Sequence, residues 1–271
     1  MILVSLNTLK SFNSFLKSRI EQQNSWLCVG LDMSPESLGS NKLKDLKNHT
    51  YKVIDSTRDF AIAYKPNFAF FERWGTKGFS WLEDTIDYIG FDYIKIADAK
   101  RGDIGNTAKQ YAYSIFDHFG FECVTINPYM GQDSIIPFIE NEQKGVFLLA
   151  KTSNDSSGYL QNIYNNGVFV YERVVKMAKE LNKNNNIGLV VGATVPEELR
   201  SIRELSPEMP FLIPGVGAQG GDLNLCMKFG NRNGVGLINI SRGISFAGDM
   251  SSKSIKNAAS KFLIQMQEAV K

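Results

Sequence analysis

The charged residues of this chain gather where apolar runs end. The run Trp26 to Asp32 closes on a carboxylate, Phe60 to Asn67 carries Lys65, and Tyr93 to Lys100 carries Asp98 and Lys100, with Asp103 in the loop beyond. Residues two apart on a strand share a face, so the spacing predicts that Asp98 and Lys100 point the same way, with Lys65 on the neighbouring strand. One such charge alone reads as a solvated loop edge. Four or five charges of alternating sign at one mouth are harder to dismiss, because desolvating them is costly unless they pair, and clusters of that kind tend to be functional. The chemistry they offer is electrostatic, fixed charge aimed at charge that develops in a reaction.

A second signal is Pro214-Gly-Val-Gly-Ala-Gln-Gly-Gly-Asp222. Gly215, Gly217 and Gly220 formally match GxGxxG. A dinucleotide site needs that motif in an early βαβ unit, with an acid about 20 residues on. Here the motif comes late and the offset falls near Asn239 and Ile240, so NAD and FAD are rejected. A phosphate cradle of backbone N–H groups fits better. Ser241-Arg242-Gly243 adds a guanidinium suited to bidentate phosphate contact. The plainer alternative is two glycine-rich turns and a surface arginine.

Residues so placed need a scaffold that brings strand ends together. An amphipathic opener puts Leu9, Phe12, Leu16 and Ile20 on one helical face. Strand-like runs then alternate with helix-like stretches. The runs are Trp26–Asp32, Phe60–Asn67, Tyr93–Lys100, Cys123–Tyr129, Val146–Ser153, Ile187–Thr194, Phe211–Gly217 and Val235–Ser241. The helices fall around 43–58, 80–89, 104–119, 134–141, 168–182, after Thr194, after Gly217 and at the end of the chain. Thr194 and Glu197 fit a capping box, with Pro196 in the first turn. Short apolar strands alternating with helices imply a parallel sheet covered on both faces. Eight such units in this length predict an α/β fold of the (β/α)₈ TIM-barrel type with an extra N-terminal helix, whose active face is at the C-terminal strand ends. An open doubly wound sheet is the alternative.

At 271 residues the chain is one large domain or two small ones, and no linker-like stretch divides it, so 1–271 is expected to be a single barrel domain. The Asn-rich patch Asn182 to Asn186 reads as a polar loop. With 43% apolar and 21% charged residues the chain is neither disordered nor a disulfide scaffold. Lys plus Arg is 30 and Asp plus Glu 28, a balance that gives no global attraction to nucleic acid or acidic membranes. Cys28, Cys123 and Cys226 are far apart, no CxxC exists, and the histidines are His49 and His118, so no structural zinc site is expected. Neither a signal peptide nor a membrane span is read. A reducing cytoplasm is the simplest compartment.

The segment Asp98-Ala-Lys-Arg-Gly-Asp-Ile-Gly-Asn-Thr107 resembles the DxKxxDI signature of the orotidine 5′-phosphate decarboxylase family. That signature is specific when Lys65 precedes it and Pro214-Gly-Val-Gly-Ala-Gln219 follows, as here. The resemblance runs from Gly30-Leu-Asp32 to Ser241-Arg242. Tyr64-Lys-Pro-Asn67, Asn127-Pro-Tyr-Met-Gly131 and Lys151-Thr-Ser-Asn154 look like the longer, monofunctional branch. It implies conversion of orotidine 5′-monophosphate (OMP) to UMP and CO₂ in de novo pyrimidine synthesis, with no cofactor and no metal, by a (β/α)₈ homodimer.

By position, Lys65, Asp98, Lys100 and Asp103 match the family's charged tetrad, with Lys100 as proton donor to C6. Asp103, Ile104 and Thr107 would reach the partner's site. Asp32 and Thr107 match ribose contacts, Asn67 a polar neighbour of the tetrad, and Ser153 a contact to the pyrimidine edge. Gln219 and Arg242 match phosphate ligands, and Pro214 lies against the base. The competing reading is a Mg²⁺-dependent sugar-phosphate decarboxylase or aldolase of the same barrel superfamily. A non-catalytic phospholigand-binding barrel is the other, but a decayed site should have lost a member of the tetrad.

Overall fold

The computed structural model describes residues 11–217 and 220–270. Its strands, in chain order, are β1 (Leu27–Leu31), β2 (Ala63–Pro66), β3 (Ile94–Arg101), β4 (Cys123–Ile126), β5 (Gly145–Lys151), β6 (Tyr164–Asn165), β7 (Val168–Phe169), β8 (Ile187–Val191), β9 (Phe211–Pro214) and β10 (Gly236–Ile240). The short β6 and β7 form an antiparallel hairpin. The other eight are parallel and close into a barrel, with β10 pairing back onto β1. The eight runs read from the sequence are these eight strands; β3 has the length of its run, shifted by one residue, and the other strands are one to four residues shorter than theirs.

Strand alternation sorts the side chains into two cores. Leu27, Val29, Leu31, Tyr64, Val124 and Leu148 pack outward against the helices. Cys28, Ala63, Ile96, Cys123, Phe147, Val190, Leu212 and Leu237 fill the barrel interior. The N-terminal helix Phe12–Gln23 completes that interior cluster with Phe12, Leu16 and Ile20. Burying each of these side chains contributes about 1.5–3 kcal/mol. Leu9, read from the sequence on the same face, lies outside the described residues. The helix starts at Ser11, whose Oγ accepts from the Ser14 N–H. Its first residues bond to the loop before β5 and to the first residue of β8: Phe12 N–H to Glu142 O (2.8 Å) and Asn13 Nδ2 to Ile187 O (3.0 Å). It therefore closes the N-terminal end of the barrel. Gly145 is required there, because a Cβ would stand 2.2 Å from the Phe12 ring.

Two helix readings change in detail. The stretch near 104–119 is an α-helix over Gly105–Tyr113 that widens into a π-turn over Ser114–His118. Helix Pro196–Leu205 has no Thr194 capping box. Val195 holds the cap position without a side-chain bond, and the Thr194 hydroxyl donates instead to Ser153 O (3.2 Å). The hairpin went unread, although Asn166-Gly167 is a strong two-residue turn signal. Both residues have positive φ, 53° and 78°.

Beneath β9 and β10 lies Arg203, 2% exposed. Its guanidinium donates to the carbonyls of Ser206, Pro207, Met209, Gly230 and Val235 and stacks on Phe211. Burial pulls its pKa down to about 9. Removing the fork strands several buried carbonyls at about 1–3 kcal/mol each. Arg203→Met is therefore expected to lower the urea-unfolding free energy by at least about 3 kcal/mol. A loss below about 1 kcal/mol would show that the carbonyls rehydrate freely.

Candidate active site

A cavity of about 530 Å³ opens at the C-terminal ends of the strands. Eight of the residues singled out from the sequence line it: Asp32, Lys65, Asn67, Asp98, Lys100, Ser153, Pro214 and Arg242. Asp103, Ile104 and Thr107 do not. They sit at the start of helix Gly105–Tyr113, where Ile104 is 47% exposed and Asp103 Oδ1 accepts from the Ile104 N–H (2.8 Å). Gln219 lies outside the described residues.

At one side of the cavity is a relay of three charges. Lys65 Nζ donates to Asp98 Oδ2 at 2.5 Å, and Lys100 Nζ donates to the other oxygen, Oδ1. Lys65 is 4% exposed, whereas the Lys100 side chain is half exposed and free to meet a ligand. Burial works against charge on both inner groups, but their pairing wins. Asp98, then Asp32, holds the Lys65 ammonium above the ordinary lysine range. Lys65, then Lys100, holds the Asp98 carboxyl well below the ordinary carboxylate range. The site is thus set with an ionised carboxylate between two ammonium groups.

The backbone that presents Lys100 is not a regular strand. The β3–β4 register jumps from Ala97↔Val124 to Arg101↔Ile126, and Lys100 has φ of +46°. The two-apart rule thus reaches the right neighbours by a different geometry. Arg101, next in the chain, fastens the far side of the bulge, with Nη2 on Glu72 Oε1 (3.0 Å) and its plane over Phe68 and Tyr111.

The rest of the cavity is divided between polar and apolar walls. Leu149, Val190 and Leu212 give an apolar side. Asp32 and Asn239 each carry a buried Oδ1 with no hydrogen-bond partner among the described residues, an arrangement that suits ligand hydroxyl or N–H donors. Arg242 stands at the rim on the short helix Arg242–Ser245, which Ser245 ties down. Its Oγ donates to Gly30 O (3.3 Å), and its carbonyl meets His49 Nε2 (2.7 Å). Across the mouth, Thr152 is held by Gln161, which accepts from the Thr152 N–H (2.9 Å) and donates to its hydroxyl (2.8 Å). Sequence reasoning missed Thr125, Gln161 and Asn239, which also line the cavity. Thr125 and Asn239 each left a trace, as the one polar residue of an otherwise apolar strand. Among the described residues, no three His, Cys, Asp or Glu side chains are grouped to hold a metal ion.

A closed parallel barrel with a Lys–Asp–Lys relay and an arginine at the same mouth defines an enzyme of the phosphate-binding barrel class. The profile of the orotidine 5′-phosphate decarboxylase / HUMPS family matches residues 25–255, and the chain belongs to that family. It is 46% identical over 244 residues to an orotidine 5′-phosphate decarboxylase of Natronomonas pharaonis, covering 88% of this chain and 90% of that protein. To the enzyme of the same name from Dehalococcoides mccartyi it is 43% identical over 263 residues, covering 94% and 95%. The solved OMP decarboxylase of Leishmania donovani superposes with a TM-score of 0.86 at 37% identity, covering 96% of this chain and 98% of that one.

Proposed function

We propose that this protein decarboxylates orotidine 5′-monophosphate to UMP and CO₂, the closing reaction of de novo pyrimidine synthesis. The observation that carries this reading is the relay, an ammonium, Lys100, paired with an ionised carboxylate and exposed to a nucleotide-sized cavity. Breaking the C6–carboxylate bond leaves an electron pair in the plane of the pyrimidine, where the ring π system delocalises it poorly. CO₂ departs neutral. Fixed positive charge at Lys100 stabilises that pair, and a proton then passes from Nζ to C6, leaving a neutral amine that solvent recharges. Asp98 sets the position of Lys100, and Lys65 sets that of Asp98.

The remaining assignments follow the family resemblance, position by position. Asp32, with an unpartnered buried oxygen, takes ribose hydroxyls. Asn67 stands beside the relay, Ser153 at the pyrimidine edge and Pro214 against the base. Arg242 takes the phosphate with Gln219. Asp103, Ile104 and Thr107 complete the site of a second copy, so the working unit is a homodimer of single barrel domains. The exposure of Ile104 and Thr107, with Asp103 half-buried beside them, supports this reading. The reaction is read as needing no metal and no organic cofactor. No described helix is long and apolar enough to cross a membrane, and the reading is of a cytoplasmic enzyme.

The test is decarboxylation of OMP followed by absorbance, in excess EDTA. Turnover unchanged by the chelator is the expected result. A folded protein inert toward OMP, yet active on a sugar phosphate once Mg²⁺ is restored, would replace this reading with the aldolase-type alternative. The relatives named as decarboxylases weigh against that alternative.

A further inference from the structure

Between the two register points of β3 and β4, three residues of β3 stand opposite one of β4. Asp98, Ala99 and Lys100 face the single residue Thr125. A bulge of this kind takes backbone groups off the ladder, and those groups need other partners when buried. Thr125 supplies them. Its Oγ1 accepts from the Lys100 N–H at 3.0 Å. Its own proton lies between two acceptors, Asp98 Oδ1 and Ala97 O, each at 3.4 Å. One hydroxyl thus touches the backbone of Lys100 and the carboxylate that Lys100 pairs with. The site gives it little freedom, since Thr125 is 2% exposed and a β-branched side chain has few χ1 options.

The conformation it holds is an uncommon one. A non-glycine residue with φ of +46° is strained and persists only where its surroundings over-determine it. Were Lys100 to relax toward a regular extended strand, its N–H would leave the Thr125 hydroxyl and the bulge would be lost, so its side chain would keep the face of Asp98 but start from a different point and direction. On the opposite flank Asp98 is pinned by a bridge to Asn67 and by Lys65. Thr125 is the corresponding pin on the β4 side.

We propose that Thr125 is a positioning residue for the decarboxylation. Its hydroxyl fixes the left-handed backbone of Lys100, and so sets where the Lys100 ammonium lies relative to Asp98 and to the reacting carbon. The inference rests on the decarboxylase reading above. It calls for a residue that affects the chemical step far more than ligand binding, because the hydroxyl is already occupied by the protein.

The experiment compares Thr125→Val, which keeps the shape and removes the hydroxyl, with Thr125→Ser, which keeps the hydroxyl. Both are measured beside wild type for kcat and KM with OMP, for UMP affinity by calorimetry, and for melting temperature. Misalignment on this scale predicts that Thr125→Val lowers kcat about 10- to 100-fold, with UMP affinity within about twofold of wild type. Thr125→Ser should retain kcat within about threefold. Should Thr125→Val fail to fold, Thr125→Ala against Thr125→Ser makes the same comparison, and equal kcat in that pair overturns the proposal. So does a valine variant with wild-type kcat, or a serine variant as slow as valine, which would assign the effect to methyl packing. A folded wild type inert toward OMP refutes the decarboxylase reading itself, and the role of Thr125 falls with it.

Discussion

Lys100→Ala lowers kcat by at least about 10⁴-fold, the combined scale of losing a general acid and a fixed charge at the reacting atom. The loss appears in kcat with UMP affinity little changed, because Lys100 is half exposed at the cavity wall and Asp98 keeps Lys65 as a partner. Arg242→Ala is the informative contrast. Arg242 sits at the rim, away from the relay, and its removal costs one charge-assisted contact, about 1.5–3 kcal/mol. That converts to a KM raised about 10- to 100-fold. Remote binding energy of this sort also helps hold a closed, dry site, so kcat drops as well, by a smaller factor. Steady-state kinetics of both variants decide the matter. Equal and mild losses in the two would contradict the division between chemistry and binding.

Asp98→Asn is expected to lose both turnover and stability. The amide is nearly isosteric, so the change is one of charge. Lys65 would be left buried with its bonded carboxylate gone, and breaking a buried pair by removing one partner costs about 3–5 kcal/mol. The pH dependence has a definite sign. The folded carboxyl is held below its ordinary range by Lys65 and Lys100, against the effect of burial. Between the folded pKa and the unfolded value near about 3.9, the unfolded chain binds more protons. Stability from this pair is therefore fully present above that range and declines as pH falls through it. Urea midpoints of wild type and variant should thus differ most near neutrality and converge below about pH 4. A gap of the same size at pH 3 and pH 7 would show that the pairing is not what stabilises the wild type.

The part of this site that was legible in the sequence was the part that breaks a pattern. Lys65, Asp98 and Lys100 stand out because a charge inside an apolar run has no cheap place to go. The alternation of runs and helices was enough for a closed barrel, since parallel strands buried on both faces leave few other architectures. Neutral polar residues give no such contrast. Gln161 ends the short helix Gly158–Gln161 in a segment already rich in polar side chains, and its two hydrogen bonds to Thr152 depend on a fold-back that spacing does not announce. Thr194 shows the opposite error. The capping-box pattern was present, but its hydroxyl found Ser153 O across the barrel mouth, a tertiary partner that local sequence cannot weigh. The bulge was invisible for a similar reason. Three residues of β3 facing one of β4 is a property of the pair of strands, and neither strand carries a glycine or proline to mark it.

With its floor plugged by Phe12, Leu16 and Ile20, the barrel opens, among the described residues, at the mouth that Lys100 and Arg242 line. Whatever is made inside must leave by the route through which the next molecule arrives. Traffic is then one-lane: the small gas can slip past the nucleotide, but nucleotide product and nucleotide substrate exclude one another at the threshold. The stopper also divides labour along the barrel axis, so that changes near Gly145 and Asn13 tax the endurance of the fold while leaving the furnishing of the chamber untouched.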